Sequence, residues 1–395
     1  MLKAASVYTN EIDDVNLACR QLAQQLGEKL ALMKNSIGIV QCSPDFIEAG
    51  IMEPLYKTLN IPLVGGTTVA SAVNGSMDHL QFSILVLTSD DVDFVAAHTG
   101  DLLRSCKAKI TESLDDTLSK VREQSQLPLR LALVFPPIID AIAGDCYVQA
   151  IESVYGDTPI FGALSVDDSL SGFDRSASIY NSEAYRYEMT YVLFFGNVTP
   201  RFSLATMPRQ SNLLQSDAFI TRASGNIAYE INNMRAIDYF ESVGIASSGK
   251  FKDGAIFIPL LMTLKDDPEE IPFVRAMFKA GEDGSVHFRG KIIEGAKFSF
   301  GSNFGTDVLS STSDTVTGIT QEKDVNAALL FSCIIRQLVI GIDFMRELAL
   351  IKDNLASDIP LMASYVGGEI SPAKMNKDNK ACNRYHNYTF ITCLL

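Results

Sequence analysis

Three stretches of the sequence repeat one phrase: IPLVGG at residues 61–66, PIFGA at residues 159–163 and IPLMA at residues 359–363, the last running on to GGEI at residues 367–370. An apolar run rich in β-branched residues and then a segment of helical periodicity precede each phrase, and further alternating runs follow it. This order predicts a unit of strand, helix, strand and strand that occurs three times.

The predicted elements fall at matching places in the three copies. In the first copy they are strand 37–40, helix 46–59, and strands 62–64, 82–87 and 92–97. In the second copy they are strand 131–135, helix 147–155, and strands 160–161, 189–195 and 201–205. In the third copy they are strand 328–335, helix 345–355, and strands 361–362 and 388–394, with the final strand of the unit expected to be missing.

Length and composition are those of a folded protein with more than one domain. The chain has 395 residues, of which 47% are hydrophobic and 20% are charged. We predict an α/β fold of mixed sheets covered by helices, arranged as two pseudo-symmetric domains. Domain 1–222 holds the copies at about 37–100 and 130–206, domain 223–395 holds the copy at about 327–395, and the polar stretch 207–217 lies at the boundary.

Charge and cysteine content narrow the cellular setting. The formal net charge of -14 opposes binding to nucleic acid and to anionic lipid. No apolar stretch approaches the ~18 residues of a membrane span, and no export signal begins the sequence. Seven scattered cysteines fit reduced thiols better than a disulfide framework. We therefore expect a cytoplasmic protein that has neither nucleic acid nor a membrane as its partner.

Common catalytic and nucleotide-binding motifs are missing from the sequence. It contains no Cys-x-x-Cys, no His-Glu-x-x-His and no Gly-x-Gly-x-x-Gly. GIASSGK at residues 244–250 has the spacing of a phosphate-binding loop, but Phe251 replaces the hydroxyl residue that would hold magnesium, and the segment before it has a helical pattern. A helix end followed by a loop is the favoured interpretation.

Two residue types could carry chemistry in the third copy. His386 begins the terminal strand, where ligand sites of α/β folds often lie, although a histidine bonded to backbone is the simpler interpretation. Cys333 and Cys42 are predicted to end the first strand of their copies, where a helix N-terminus could activate a thiol. A buried, inert thiol is again the simpler interpretation. None of the four histidines lies within helical ligand spacing of another, so no zinc site is predicted.

One position recurs nine residues after each repeated proline. Ser71, Asp168 and Glu369 occupy it, so these three residues are expected to share one structural place on three loops. The glycines beside them either let a ligand approach the backbone or only permit tight packing. Arg336, just past the first strand of the third copy, is the predicted charged partner of Glu369.

At these residues the sequence resembles the FIST family of sensory domains. Residues from about 30 to 222 resemble the N-terminal FIST domain, and residues from about 223 to 395 resemble its C-terminal partner. The resemblance rests on FSC at 331–333 with Arg336, GEI at 368–370, His386-Asn387 with Thr389, and IFGA at 160–163 with Asp167-Asp168. The first copy departs from the family, because Ala70-Ser71 stands where Gly-Glu is usual.

The resemblance implies a non-catalytic sensor that binds an amino acid or a similar small metabolite. The sensor would relay its signal to a separate protein, such as a kinase or a cyclase/phosphodiesterase. The residues that the resemblance and the repeats place at the ligand are Arg336, Glu369, Gly368, His386, Asn387, Cys333, Asp168 and Gly162. Arginine would bind a ligand carboxylate and the acids would bind its ammonium group.

Three alternatives remain open at this point. Some FIST proteins bind haem and respond to nitric oxide, so haem is the alternative ligand, with His386 or a cysteine such as Cys333 as its axial ligand; no other cofactor or metal is expected. A thiol-dependent hydrolase or transferase would need Cys333 and His386 within hydrogen-bond reach of each other. A scaffold that binds proteins through exposed strands is the third possibility.

Overall fold

The structure of the protein, a computed structural model, describes residues 1–124, 127–169, 173–206, 213–245, 259–263, 273–301, 304–320, 322–343, 345–354, 358–375 and 380–395. Within these ranges, 26 strands and nine helices form mixed sheets with helices packed on them, which confirms the predicted mixed α/β class. Residues 246–250 of the phosphate-loop candidate and residues 207–212 of the predicted boundary lie outside the described residues.

The helices and strands follow the order of the three copies. The first copy and the segment before it contain β1 (Lys3–Thr9), α1 (Val15–Lys29), β2 (Asn35–Cys42), α2 (Pro44–Glu48), α3 (Met52–Leu59), β3 (Leu63–Thr67), β4 (Ser71–Val73), β5 (Ser76–Asp78), β6 (Phe82–Ser89) and β7 (Val92–His98). The second copy and the helix before it contain α4 (Cys106–Gln124), β8 (Leu129–Phe135), α5 (Gly144–Tyr155), β9 (Ile160–Ala163), β10 (Ser178–Tyr180), β11 (Glu183–Tyr185), β12 (Thr190–Gly196) and β13 (Arg201–Thr206).

The remaining elements belong to an intervening region and to the third copy. The intervening region contains β14 (Leu213–Ser224), β15 (Ile227–Ile231), β16 (Met234–Arg235), α6 (Ala236–Ser242), β17 (Leu260–Thr263), β18 (Phe273–Arg275), β19 (Met277–Ala280), β20 (Val286–Phe288), β21 (Lys297–Gly301) and α7 (Gly305–Thr320). The third copy contains β22 (Ala328–Cys333), α8 (Ile334–Ile340), α9 (Met345–Asn354), β23 (Leu361–Val366), β24 (Glu369–Met375), β25 (Ala381–His386) and β26 (Thr389–Leu394).

Each copy contains the predicted strands and helix together with a hairpin that the sequence did not predict. The hairpins are β4–β5, β10–β11 and β24–β25. In the first two copies each arm has only three residues. Alternation of apolar and polar residues needs about four to eight residues to be recognised, so these arms carry no signal of their own.

The three hairpins are exchanged among the copies. The hairpin of the first copy extends the sheet of the third, where β4 pairs with β23, and the hairpin of the second extends the sheet of the first, where β10 pairs with β3. The hairpin of the third copy extends the sheet of the second, where β24 pairs with β9. This cyclic exchange produces three six-stranded sheets in which equivalent strands occur in the same order. Each sheet therefore contains strands from more than one copy.

The outer edge strand of the second and third sheets is also borrowed from another copy. β7 of the first copy pairs with β12 in the second sheet, and β13 of the second copy pairs with β26 in the third. In the first sheet β1 fills this place and pairs with β6. The strand that the third copy was expected to lack therefore has its counterpart in β1.

An asparagine in each hairpin fixes the strand that follows a repeated proline. The side-chain oxygen accepts the N–H of the residue directly after that proline: Asn74 from Leu361 at 2.7 Å, Asn181 from Leu63 at 3.1 Å and Asn383 from Ile160 at 2.8 Å. These contacts satisfy a backbone donor at the place where one copy receives the hairpin of another.

The inner faces of the three sheets share one apolar core. Ile39, Leu133 and Leu329, one from each sheet, are fully buried in it. Phe161 stacks on Phe331 with their ring centres 5.4 Å apart, which joins the second and third sheets. Helices pack on the outer faces in separate apolar clusters. Burial of apolar surface therefore joins all three copies rather than pairs of neighbours in sequence.

The intervening region forms a further antiparallel sheet in the order β18-β17-β21-β14-β15-β20-β19, with β16 beside β15. Arg275 in this sheet pairs with Asp145 of the second copy at 2.7 Å. The predicted domain division at residue 222 stays a prediction; the strand pairs β4–β23, β24–β9 and β13–β26 cross it. None of the described helices is both long and apolar enough to cross a membrane.

Candidate functional site

A thiol and a carboxyl group meet at the ends of two strands in the third copy. β22 ends at Cys333, which precedes α8 in an extended conformation as its capping residue. The backbone N–H groups of Ile335 and Tyr388 lie on the side of the sulfur and act to lower the pKa of the thiol, although the side chain makes no cap bond to α8. β24 begins at Glu369, which pairs with Ala163 of β9. The site is therefore built from the third copy and the hairpin acceptor strand of the second.

Glu369 is a fully buried carboxyl group with one oxygen unused. Its Oε2 accepts a hydrogen bond from Thr389 Oγ1 at 2.5 Å, and its Oε1 has no hydrogen-bond partner among the described residues. Burial raises the pKa of Glu369 to about 8, although the bonds from Thr389 and from the Cys333 thiol oppose that rise. The side chain is therefore mostly protonated at neutral pH and has an acceptor free for a ligand.

The same burial makes Cys333 an unreactive thiol. Removal from water raises its pKa well above the ordinary value, and the nearby Glu369 raises it further. The two backbone N–H groups lower the pKa by less. Because the thiolate is the nucleophile, a thiol held protonated in this way does not act as one at neutral pH.

Arg336, the predicted partner of Glu369, is bonded to Glu347 instead. Its Nη2 donates to Glu347 Oε1 at 2.8 Å, and both side chains are 0% exposed. Glu347 also accepts hydrogen bonds from Thr312 at 2.5 Å and from Ser332 at 2.8 Å. Arg336 acts on Glu369 only through its charge, which lowers the pKa of that carboxyl. Its Nη1 has no hydrogen-bond partner in the described part of the chain.

Tyr385 stands beside Glu369, and two of the predicted site residues hold it there. Asn387 Nδ2 donates to Tyr385 Oη at 3.1 Å, while Asn387 Oδ1 accepts from Ala276 N in the intervening sheet at 3.3 Å. Gly368 has a φ of 136°, and a Cβ there would lie 2.3 Å from Tyr385 Oη. Gly368 and Asn387 therefore position Tyr385. The tyrosine hydroxyl fills the space that any side chain at residue 368 would need.

His386 follows the simpler of its two interpretations. The ring is buried, and its Nε2 lies 3.2 Å from the carbonyl oxygen of Ser371. Burial lowers the pKa of His386 to about 3, so the ring is neutral. Among the described residues, the thiol of Cys333 interacts with Glu369 and backbone groups, and His386 faces Ser371, so the histidine base that a hydrolase would need is not in place.

The second copy contributes differently from the prediction. Asp168 is an exposed residue whose carboxyl lies 3.7 Å from Arg175, within an ion-pair group that includes Asp45. Gly162 lies against β8, where a Cβ would be 1.9 Å from the carbonyl oxygen of Val134. Gly162 therefore permits strand packing, and Asp168 belongs to an exposed ion-pair group, whereas Glu369 is fully buried.

Strand register shows that Ser178, and not Asp168, is the counterpart of Glu369 and Ser71. Glu369 pairs with Ala163, Ser71 pairs with Ser364 and Ser178 pairs with Gly66. Each of these partners lies four residues after the repeated proline of its copy. The predicted equivalence of Asp168 with Glu369 was wrong because the second copy has a longer connection between the phrase and its hairpin.

Register also corrects the predicted correspondence of Cys42 with Cys333. Cys42 pairs with Thr67, five residues after Pro62, whereas Cys333 pairs with Val366, six residues after Pro360. The counterpart of Cys333 is therefore Ser43: each is the residue before a helix, and Ser43 caps α2 by accepting from Asp45 N, whereas Cys333 makes no side-chain cap bond to α8. The match of Cys42 to Cys333 was predicted from the sequence, and strand register moves it by one residue.

Three residues of the site were not identified from the sequence: Glu347, Tyr385 and Tyr388. Glu347 precedes the buried Leu348 and lies four residues before the buried Ile351, so it is a charged residue on the apolar face of α9. That position in the helical pattern could have identified it from the sequence. Tyr388 has a φ of 60°, and its buried hydroxyl has no hydrogen-bond partner among the described residues. No pattern in the sequence distinguishes Tyr385 or Tyr388 from ordinary core residues.

The same side chains determine whether a metal ion or a haem could be held here. No group of three or more histidine, cysteine, aspartate or glutamate residues in the described ranges could hold a metal ion. His386 and Cys333 are both buried, and His386 Nε2 faces a carbonyl oxygen. These side chains do not fit an axial haem ligand as they stand, because the haem iron would have to displace those contacts.

Comparison with known proteins identifies two adjoining domains. The FIST N domain matches residues 36–234, and the FIST C domain matches residues 236–372. Together they cover the first two copies, the intervening sheet and the third copy as far as residue 372, including Cys333 and Glu369. No curated protein matches the sequence.

Proposed function

Because the chain belongs to the FIST family, whose domains are sensory domains of signal transduction, we propose that this protein binds an amino acid or a similar small metabolite at Glu369. It acts as a cytoplasmic, non-catalytic sensor and passes the signal to a separate signalling protein. Ligand binding stabilises one arrangement of the intervening sheet against the third copy, and the partner distinguishes that arrangement.

The observation that carries this proposal is the difference between three equivalent positions. Ser71 Oγ lies 2.8 Å from Ser83 Oγ, and Ser178 Oγ donates to the carbonyl oxygen of Phe135 at 2.8 Å. Glu369, at the third position, keeps Oε1 without a partner among the described residues. A buried polar atom left unpaired costs free energy, and a ligand that donates to it recovers that cost.

The chemistry of the site favours a ligand that carries an amino group. An ammonium group beside Glu369 would pair with the ionised carboxylate and lower its pKa from about 8. The bond would be charge-assisted and shielded from water, which makes it stronger than the same contact at the surface. Binding would therefore be linked to release of the carboxyl proton.

Haem is the second candidate, and the family resemblance alone supports it. The buried contacts of His386 and Cys333 oppose it, because an iron atom would have to displace them. A thiol-dependent reaction has less support, because the pKa of Cys333 is raised and the ring of His386 faces a backbone carbonyl.

The test is a thermal-shift screen of the purified chain with the common amino acids and with haemin. We expect at least one amino acid to raise the melting temperature of the wild type, and Glu369→Gln to abolish that rise while keeping the shape of the side chain. Glu53→Gln is the matched control, because Glu53 is an exposed carboxylate paired with Lys57.

Two results would contradict the proposal. One is a ligand response of Glu369→Gln equal to that of the wild type. The other is stabilisation by haemin with a Soret absorption band and no response to any amino acid, which would establish the haem alternative instead.

A further inference from the structure

A narrow cleft separates the second copy from the intervening sheet next to the candidate site. Its apolar lining consists of Ile138, Ile139, Ile142, Leu164, Phe278 and Phe288. Arg289 and Asp140 lie at its polar side, and Tyr385 also lines it. The cleft measures about 230 Å³ with its open mouth included, while the room for water inside is about 10 Å³. It is therefore nearly closed and would admit a molecule of amino-acid size only if a lining side chain moved.

Arg289 is the lining cation, and its present contacts leave it available. Its Nη1 donates to Asp140 at 2.7 Å, where the Asp140 side chain is 71% exposed. Its guanidinium lies 3.9 Å from the centre of the Phe278 ring and 5.5 Å from that of Phe173. Ion pairs with an exposed partner contribute little free energy, so a ligand carboxylate can replace Asp140.

Arg336 cannot be the residue that binds the ligand carboxylate. Its pair with Glu347 is fully buried on both sides, and removing one partner of such a pair leaves an uncompensated charge in the core. The guanidinium of Arg289, by contrast, lies over the Phe278 ring, 3.9 Å from its centre, and a guanidinium can bind a carboxylate at two points.

Tyr385 connects the cleft with Glu369. Its hydroxyl lies against Gly368, the residue before Glu369, where a Cβ would be 2.3 Å from Tyr385 Oη, and its side chain lines the cleft together with Arg289. Its ring is packed against Gly144, where a Cβ would lie 2.4 Å away, at the start of α5. Tyr385 is thus the side chain shared by the cleft and the buried carboxyl group.

We propose that the cleft is the recognition site for the carboxylate and apolar side chain of the ligand, and that Arg289 determines specificity by binding the carboxylate in place of Asp140. The ligand class is a small apolar amino acid or its des-amino carboxylate. This inference rests on the proposed function for the amino group at Glu369 and assigns the remaining ligand groups to the cleft.

The experiment measures affinity by calorimetry for two families of probes. They are L-leucine with L-leucinamide and 4-methylpentanoate, and L-phenylalanine with L-phenylalaninamide and 3-phenylpropionate. We expect the acids of at least one family to bind the wild type and the matching amide to bind at least tenfold more weakly. Arg289→Gln should weaken binding of the acids roughly tenfold to a hundredfold, the loss of one charge-assisted bonded pair.

Asp140→Asn supplies a result that a merely structural contact would not produce. Removing the competing carboxylate should strengthen binding of the acids by roughly two- to fivefold, while their amides are unaffected. Arg186→Gln is the matched control, because Arg186 also pairs with an aspartate, Asp174, and stacks on an aromatic ring, that of Tyr187 at 5.0 Å. It should bind as the wild type does.

The inference is overturned if no acid in either family binds, if the amides bind as well as the acids, or if Arg289→Gln and the wild type have equal affinity. Glu369→Gln separates this failure from that of the proposed function. If Glu369→Gln weakens L-leucine or L-phenylalanine but Arg289→Gln does not, the site at Glu369 stands and the cleft is excluded. If Arg289→Gln alone weakens binding, the cleft stands and the role of Glu369 is excluded.

Discussion

At the scale of single residues, Glu369 distinguishes the site in the third copy from the equivalent places in the other two copies. Ser71 and Ser178 occupy the equivalent places in the other two copies and satisfy their hydroxyl groups within the protein. A carboxyl group at the third place is neutral and keeps an acceptor unused. The sequence alone placed a residue of interest at 369, but the protonation state follows from burial, which the linear sequence does not specify.

The raised pKa of Glu369 predicts a pH dependence of stability. Its pKa is about 8 in the folded protein and near 4.5 when exposed, so between these values the folded state holds one more proton than the unfolded state. The free energy of unfolding therefore falls as pH rises through this window, by about 1.4 kcal/mol per pH unit for one group. Urea denaturation of the wild type and of Glu369→Gln at pH 6.5, 7 and 8 measures this decline in the free energy of unfolding.

Glu369→Gln should lack that decline, whereas Glu53→Gln should retain it. The range above pH 6.5 avoids His386, whose pKa is lowered from 6.5 to about 3 and whose contribution is lost only as pH falls below 6.5. An equal slope for the wild type and Glu369→Gln would show that Glu369 is already ionised at pH 6.5.

At the scale of elements, the buried pair of Arg336 and Glu347 organises the third copy. Arg336 Nη2 also donates to Ser311 and Thr312, which belong to α7, while Glu347 belongs to α9 and Ser332 to β22. Three helices and a strand therefore meet at one charge pair. Periodicity predicted α9 correctly, but its partner could not be deduced because the contact joins residues on separate elements.

Breaking this pair should destabilise the protein strongly. We expect Glu347→Gln to lower the free energy of unfolding by about 3–5 kcal/mol, because the Arg336 charge would remain in the core without its counter-charge. The double variant Arg336→Met with Glu347→Leu should lose less than Glu347→Gln. Urea midpoints followed by tyrosine fluorescence suit this comparison, since the chain has no tryptophan and 13 tyrosines.

Glu53→Gln again serves as the control, because Glu53 and Lys57 form an exposed pair that should contribute less than about 1 kcal/mol. If the double variant were as unstable as the single one, packing around the pair rather than the unpaired charge would be responsible.

At the scale of the whole molecule, exchange of hairpins replaces independent units with an interlocked fold. Every copy gives its hairpin to another copy, and the three inner sheet faces bury a single core. Local periodicity predicted the strands that each copy keeps for itself. It could not predict the exchange, because the partners of all three hairpins lie elsewhere in the chain and the arms of the first two have only three residues each.

The asparagines at the exchange points should therefore matter to the entire fold. We expect Asn181→Ala and Asn383→Ala each to cost about 1–3 kcal/mol, because the N–H of Leu63 or Ile160 loses its acceptor. Denaturation followed by circular dichroism and by tyrosine fluorescence should still show one shared transition.

The control is Asn10→Ala, since Asn10 is exposed although it also bonds distant backbone, at Leu80. It should stay within about 0.5 kcal/mol of the wild type. Two separate transitions in Asn181→Ala or Asn383→Ala would show that the copies can unfold independently.

The sequence by itself determined the periodic elements, the threefold repetition, the mixed α/β class and the FIST family, because these depend on local patterns and on short motifs. Only the tertiary structure decided which copy receives each hairpin, that Ser178 rather than Asp168 matches Glu369, and that Arg336 pairs with Glu347. Such choices depend on strand register and burial, which arise from contacts between distant residues. A one-residue shift in register, invisible in composition or periodicity, changes which side chains meet.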